Sequence, residues 1–130
     1  MTQAAGRILI VDDEPSLVKM MKAYLERLGH TVATVTTTAQ AWEEVERDPA
    51  AYGAAVLDAS MPGIAMYDLA SRMLAVNPAM HVLVASGYPV DMSALESAAP
   101  GRVAFLHKPF TPQMLAQEVR RMLGSQEETL

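Results

Sequence analysis

Hydrophobic and polar positions along the chain switch between two periods. Arg7-Ile-Leu-Ile-Val11 is a short apolar, β-branched run that stops at Asp12-Asp13-Glu14-Pro15, as a buried strand does on meeting a polar loop. From Pro15 the period lengthens. Leu17, Met21, Tyr24, Leu25 and Leu28 share one helical face, with proline at its start and Gly29 past its end. The unit then repeats. Residues 31–35 read as a strand, 39–47 as a helix, and 54–57 as a strand ending at Asp58. Met66, Leu69, Ala70 and Met73 mark a third helix stopped by Asn77-Pro78, and residues 81–84 form a strand ending at Ser86-Gly87. A short helix is predicted over 91–98, a fifth strand over 102–106 before Lys108-Pro109, and a last helix carrying Leu115, Val119, Met122 and Leu123. Strands that are apolar throughout, rather than alternating, lie in a sheet covered on both faces, so the pattern predicts a doubly wound α/β domain with a parallel five-stranded sheet. Residues 7–124 should form the domain, with 1–6 and 125–130 as flexible ends.

Composition narrows the function. A chain of 130 residues, 51% hydrophobic and 19% charged, suits one domain with a single core and has no room for a second catalytic or DNA-binding domain within it. The absence of cysteine excludes a disulfide scaffold, a thiolate zinc site and cysteine catalysis. Ten basic and fifteen acidic residues leave a formal charge of −5, so direct nucleic-acid binding is not expected. No window approaches the roughly 18 apolar residues of a membrane span, and residues 1–6 carry no secretory pattern. The expectation is a cytoplasmic protein without a membrane partner.

In an open α/β sheet the ligand crevice lies at the carboxyl ends of the strands, so the residues that follow each strand matter most. Strand one ends at Asp12-Asp13, strand three at Asp58, strand four at Ser86 and strand five at Lys108, while strand two ends in plain threonines. Three carboxylates, a hydroxyl and an ammonium should therefore converge at one edge. Clustered carboxylates repel unless a positive group sits among them, and hard oxygen donors without nitrogen or sulfur favour Mg²⁺. The same charges suit phosphoryl transfer, which rests on positioning and charge stabilisation. Asp58, alone at the end of a central strand, is the candidate nucleophile. Asp12 and Asp13 are candidate metal holders, and Ser86 and Lys108 are candidates to contact a phosphoryl oxygen. Singly, each feature is an ordinary turn or helix start; jointly they supply a metal site, a nucleophile and a cation.

The segments Ile-Leu-Ile-Val-Asp12-Asp13-Glu-Pro, Val-Leu-Asp58-Ala-Ser-Met-Pro62-Gly, Val-Leu-Val-Ala-Ser86-Gly-Tyr and Phe105-Leu-His-Lys108-Pro109-Phe resemble the receiver domains of two-component response regulators. The resemblance implies a flavodoxin-like fold with strand order 2-1-3-4-5. It also implies transfer of a phosphoryl group to Asp58 from the phosphohistidine of a histidine kinase or phosphotransfer protein. Mg²⁺ would be held by Asp13, Asp58 and the backbone carbonyl of Ser60, with Asp12 acting largely through water. Lys108 would contact the phosphoryl group, Ser86 would move toward it, and Phe105 would turn inward behind. Ser60 and Tyr88 should line the route of an attacking water. The fourth helix, fifth strand and fifth helix form the family's usual output surface, the expected face for a downstream partner, an attached domain or a weak homodimer. Two positions depart from the family: Phe105 stands where tyrosine is common, and Ala65-Met66 where Asp-Gly is frequent.

Other readings fit less well. The Ser86-Gly-Tyr and Phe105-Leu-His-Lys-Pro-Phe runs also resemble those of receiver modules in hybrid sensor histidine kinases. A haloacid-dehalogenase-like phosphohydrolase shares the Asp, Lys, hydroxyl and Mg²⁺ set but needs a second Asp where this chain has Ser60. A flavin-binding protein lacks its phosphate loop here, and Gly-x-Ser-x-Gly and Gly-x-x-x-x-Gly-Lys are both absent. His30, His81 and His107 are too scattered for a metal cluster, the ten methionines read as core filling, and Trp42 as packing on the second helix.

Overall fold

Each predicted element forms, and its ends show why. The computed structural model describes residues 6–127, with side chains through residue 124. Its elements are β1 (Arg7–Val11), α1 (Pro15–Arg27), β2 (Val32–Val35), α2 (Thr38–Arg47), β3 (Tyr52–Asp58), α3 (Met66–Val76), β4 (His81–Ser86), α4 (Ser93–Ala98), β5 (Val103–His107) and α5 (Pro112–Glu127). Of the predicted flexible ends 1–6 and 125–130, residues 1–5 and 128–130 lie outside the described residues, and α5 continues past residue 124. Glu14 caps α1 by accepting the Leu17 amide at 2.6 Å, and Thr37 caps α2 by accepting that of Gln40 at 3.1 Å. Among the described residues no helix is long and apolar enough to cross a membrane.

The five strands are parallel in the order β2-β1-β3-β4-β5, the flavodoxin-like order that the resemblance implies. Side chains alternate between two apolar layers. Leu9, Val11, Ala55, Leu57, Val82 and Val84 pack with α2, α3 and α4; Ile8, Ile10, Ala54, Val56, Leu83 and Leu106 pack with α1 and α5. That double coverage is why the strands carry no polar alternation. Counting onward, Asp12, Asp58 and Lys108 continue the α1/α5 layer, whereas Ser86 continues the α3/α4 layer that holds Phe105.

Two boundaries differ from the pattern. β3 begins at Tyr52 rather than residue 54, because a register shift between Arg7 and Ile8 leaves Gly53 as an extra residue. Tyr52 is buried with its hydroxyl donating to Glu44 Oε1 at 2.8 Å. α4 begins at Ser93 rather than residue 91, because the Asp91 carboxylate accepts from the Ser93 amide at 3.0 Å and hydroxyl at 2.7 Å and forms a turn first. Trp42 packs at the edge of the core with the Arg72 guanidinium 5.6 Å from its ring centre.

The edge of the sheet opposite the strand-end acids is closed by Arg102. Its guanidinium donates to the carbonyls of Met80 at 2.9 Å, Leu74 at 3.0 Å and Asn77 at 2.6 Å, satisfying the end of α3. His81 is buried beside it, and burial, aided by the Arg102 charge, holds the imidazole below its ordinary value of 6.5. The unfolded chain therefore binds this proton more tightly than the native one. Stability is full above pH 6.5 and falls as pH drops through the window down to the depressed native value. His81→Gln is expected to flatten that loss in denaturant titrations run across the window; an unchanged slope in the variant contradicts the assignment.

Candidate functional site

Register brings the site together. Val11 pairs with Leu57 and Asp58 with Ala85, so the residues after β1 and at the end of β3 are neighbours. Candidate ligand oxygens of Asp12, Asp13 and Asp58 all lie within 4.8 Å of one another. Lys108, one residue past β5, reaches back over this edge, its Nζ 3.1 Å from Asp12 Oδ2 and 3.5 Å from Asp58 Oδ1. Its backbone amide is fixed by the Ser86 carbonyl at 2.8 Å, so the ammonium arrives from a rigid strand end.

The three acids differ in surroundings. Asp12 is buried, Asp58 is partly buried and Asp13 is exposed. Burial pushes the Asp12 carboxyl above its ordinary value of 3.8, while the Glu14 amide at 3.0 Å and Lys108 oppose that shift and the Asp58 charge adds to it. Asp58 Oδ1 accepts the Ser60 amide at 3.0 Å, and the Ala59 amide donates to the Ala85 carbonyl at 2.9 Å. Three carboxylates facing one ammonium leave an excess of negative charge lined only by hard oxygen donors. That donor set fits Mg²⁺, which favours carboxylate and carbonyl oxygens.

Ser86 is buried at the end of β4, where its Oγ accepts the Tyr88 amide at 3.0 Å. Tyr88 itself is 74% exposed. Phe105 is partly buried in the α3/α4 layer and meets His107 edge-on, with ring centres 6.4 Å apart. Beside the acids lies a cleft of about 440 Å³ lined by Glu14, Leu17, Lys108, Pro109 and Phe110.

A family model, the response regulator receiver domain, matches residues 8–120. The chain belongs to the response regulator receiver domain family. It is 30% identical over 118 residues to the C4-dicarboxylate transport transcriptional regulatory protein DctD of Rhizobium meliloti, covering 91% of this chain and 25% of that protein. It is 26% identical over 117 residues to the response regulator receiver protein CpdR of Brucella abortus, covering 90% of this chain and 96% of that one. Among solved structures, a CheY-like receiver domain protein from Methanospirillum hungatei matches with a TM-score of 0.83 and 25% identity, over 95% of this chain and 98% of that one. The chain thus spans a quarter of a regulator such as DctD and nearly all of one such as CpdR. It is a receiver domain of the two-component response regulator type, with an acidic pocket that fits phosphoacceptor and Mg²⁺ chemistry.

In this receiver domain the structure gathers Asp12, Asp13, Asp58, Lys108 and the Ser60 amide at one edge. It sets Ser86 one register step further along and Phe105 behind it, and leaves Tyr88 on the surface. Two supporting residues were not legible as such. Glu14 reads as a third acid but caps α1. Thr38 belongs to the threonines that close β2, to which the sequence pattern assigns no role. Its buried hydroxyl accepts the Ile64 amide at 2.9 Å and donates to the Pro62 carbonyl at 3.2 Å, joining α2 to the loop after Asp58. The available signal was three successive threonines where one suffices to cap a helix.

A cation that binds only the folded pocket stabilises the fold. At Mg²⁺ roughly ten times above its dissociation constant, the gain is about 1.4 kcal/mol. Thermal unfolding with Mg²⁺ and with a chelator should show this rise in Tm in the wild type and lose most of it in Asp13→Asn. A wild-type Tm indifferent to Mg²⁺ contradicts the donor-set reading.

Proposed function

We propose that Asp58 is the phosphoacceptor of this receiver domain. A carboxylate oxygen of Asp58 attacks the phosphorus of a phosphohistidine on a histidine kinase or phosphotransfer protein. The P–O bond of an acyl phosphate forms as the P–N bond breaks and its electron pair returns to the imidazole. Phosphoryl transfer depends on charge placement, and the ammonium of Lys108 stands 3.5 Å from Asp58 Oδ1, ready to neutralise the incoming oxygens. Asp13, Asp58 and the backbone carbonyl of Ser60 would hold Mg²⁺, with Asp12 acting through water. When bound, the ion supplies further neutralisation of the phosphoryl charge.

Ser86 serves the switch. Its Oγ accepts the Tyr88 amide, so a move of its hydroxyl toward a phosphoryl oxygen carries the loop after β4 with it. Phe105, in the same layer, follows by packing alone since it has no hydroxyl. The phosphoryl contacts bias the equilibrium between the two arrangements, and the face built by α4, β5 and α5 passes the change to a downstream protein, an attached domain or a second copy of the chain. A cytoplasmic location accords with this partner set. The observation that carries the reading is the convergence of three carboxylates with Lys108 at the carboxyl edge of the sheet. A turnover phosphohydrolase is not favoured, because the position two residues after Asp58 offers Ser60 rather than an acid/base carboxylate.

Intact mass after incubation with Mg²⁺ and acetyl phosphate, quenched in acid, should show one added phosphoryl group in the wild type and none in Asp58→Ala or without Mg²⁺. Retention of the added mass in Asp58→Ala overturns the assignment. In the same assay Tyr88→Ala should shorten the half-life of the acyl phosphate, since the ring narrows the path of water; an unchanged half-life removes Tyr88 from that role.

A further inference from the structure

We propose that Thr38, the first residue of α2, is a positioning residue for the phosphoacceptor loop, fixing the path of residues 59–64 on which Asp58 and the Ser60 carbonyl meet Mg²⁺. The inference rests on the reading of Asp58 given above. The loop is tied at its start by the Ala59 amide on the Ala85 carbonyl at 2.9 Å and the Ser60 amide on Asp58 Oδ1 at 3.0 Å. Beyond Ser60 local ties are scarce. Pro62 has no amide proton, and Gly63 turns the chain at φ +97°, in the left-handed region. Ala65, at the N-cap of α3, offers no side-chain acceptor.

Thr38 supplies from another helix what the loop lacks. One hydroxyl can donate and accept at once, and here it accepts from Ile64 and donates to Pro62, closing a ring about Gly63. The fit is close: a Cβ at position 63 would run into Thr38 Oγ1. The hydroxyl is not spent on its own helix, because Thr37 already caps α2 through the Gln40 amide. Thr38 is 4% exposed, so packing holds its hydroxyl in one place, and without that hydroxyl the Pro62 carbonyl and Ile64 amide lose their bonds to α2. The loop then loses its hydrogen-bonded tie to α2, and beyond Ser60 only the packing of Met61 and Ile64 against the core holds its path.

Thr38→Val keeps the shape and removes the hydroxyl, Thr38→Ser keeps the hydroxyl, and Thr37→Val removes the neighbouring cap as a control for stability alone. Mg²⁺ titrations followed by the amide resonance of Ser60, without any phosphodonor, should give a half-saturation about tenfold higher in Thr38→Val, within the range for groups that orient metal ligands. Thr38→Ser and Thr37→Val should stay within about twofold of the wild type, although Thr37→Val lowers Tm. Hydrogen exchange at the Ile64 amide should accelerate in Thr38→Val only. Equal Mg²⁺ half-saturation in Thr38→Val and wild type, or the same weakening in Thr37→Val, overturns the proposal. A wild type that binds Mg²⁺ at Ser60 but takes no phosphoryl group on Asp58 would instead overturn the underlying reading while the loop measurements still stand.

Discussion

Two acids at the ends of adjacent buried strands set the terms for this molecule, because Asp12 and Asp58 share a layer and neither can move away from the other. Burial already disfavours charge on Asp12, and the nearby Asp58 carboxylate disfavours it further. Lys108 answers both. Unit charges about 4 Å apart attract by about 4 kcal/mol at an effective dielectric of about 20, and much of that is returned in removing the charges from water. The cluster is therefore a weak contributor to stability and a strong constraint on where charge sits. It leaves a net negative charge that one more cation can balance, and it keeps an ammonium 3.5 Å from Asp58 Oδ1.

Strand parity then divides the residues at this edge between two layers. Asp12, Asp58 and Lys108 extend the layer packed with α1 and α5, while Ser86 and Phe105 extend the layer packed with α3 and α4. Ser86 stands next to Asp58 but in the second layer, where its carbonyl holds the Lys108 amide and its hydroxyl accepts that of Tyr88. Close packing of two apolar layers around one sheet would make any shift between them discrete, since few intermediate arrangements fill the core equally well. Membership of the receiver family places the molecule in two-component signalling.

Most of the fold was legible because it rests on local rules. Apolar runs ending at acids, proline at the start of α1 and asparagine-proline after α3 each declare a boundary from a few residues, and the strand order came through the family resemblance. Most of the features that escaped depend on residues distant in sequence, the start of α4 being the local exception. β3 starts earlier than its pattern because of a register shift against Arg7, and α4 starts later because Asp91 makes a turn with Ser93. His81 carries no signal of burial beside Arg102, and Thr38 looks like spare capping until the loop 26 residues away is seen against it. The pocket acids were legible as strand ends, but that Lys108 binds Asp12 more closely than Asp58 follows only from side-chain geometry.

The central claim is that the carboxyl edge of the sheet is one charge-balanced site, and amide spectra recorded on adding Mg²⁺ and then beryllofluoride test it most directly. The account predicts shifts concentrated at residues 12, 13, 58–60, 86–88 and 108, with Arg7, Tyr52 and His81 at the far ends of their strands unmoved. Shifts centred elsewhere, or none on either addition, would contradict it.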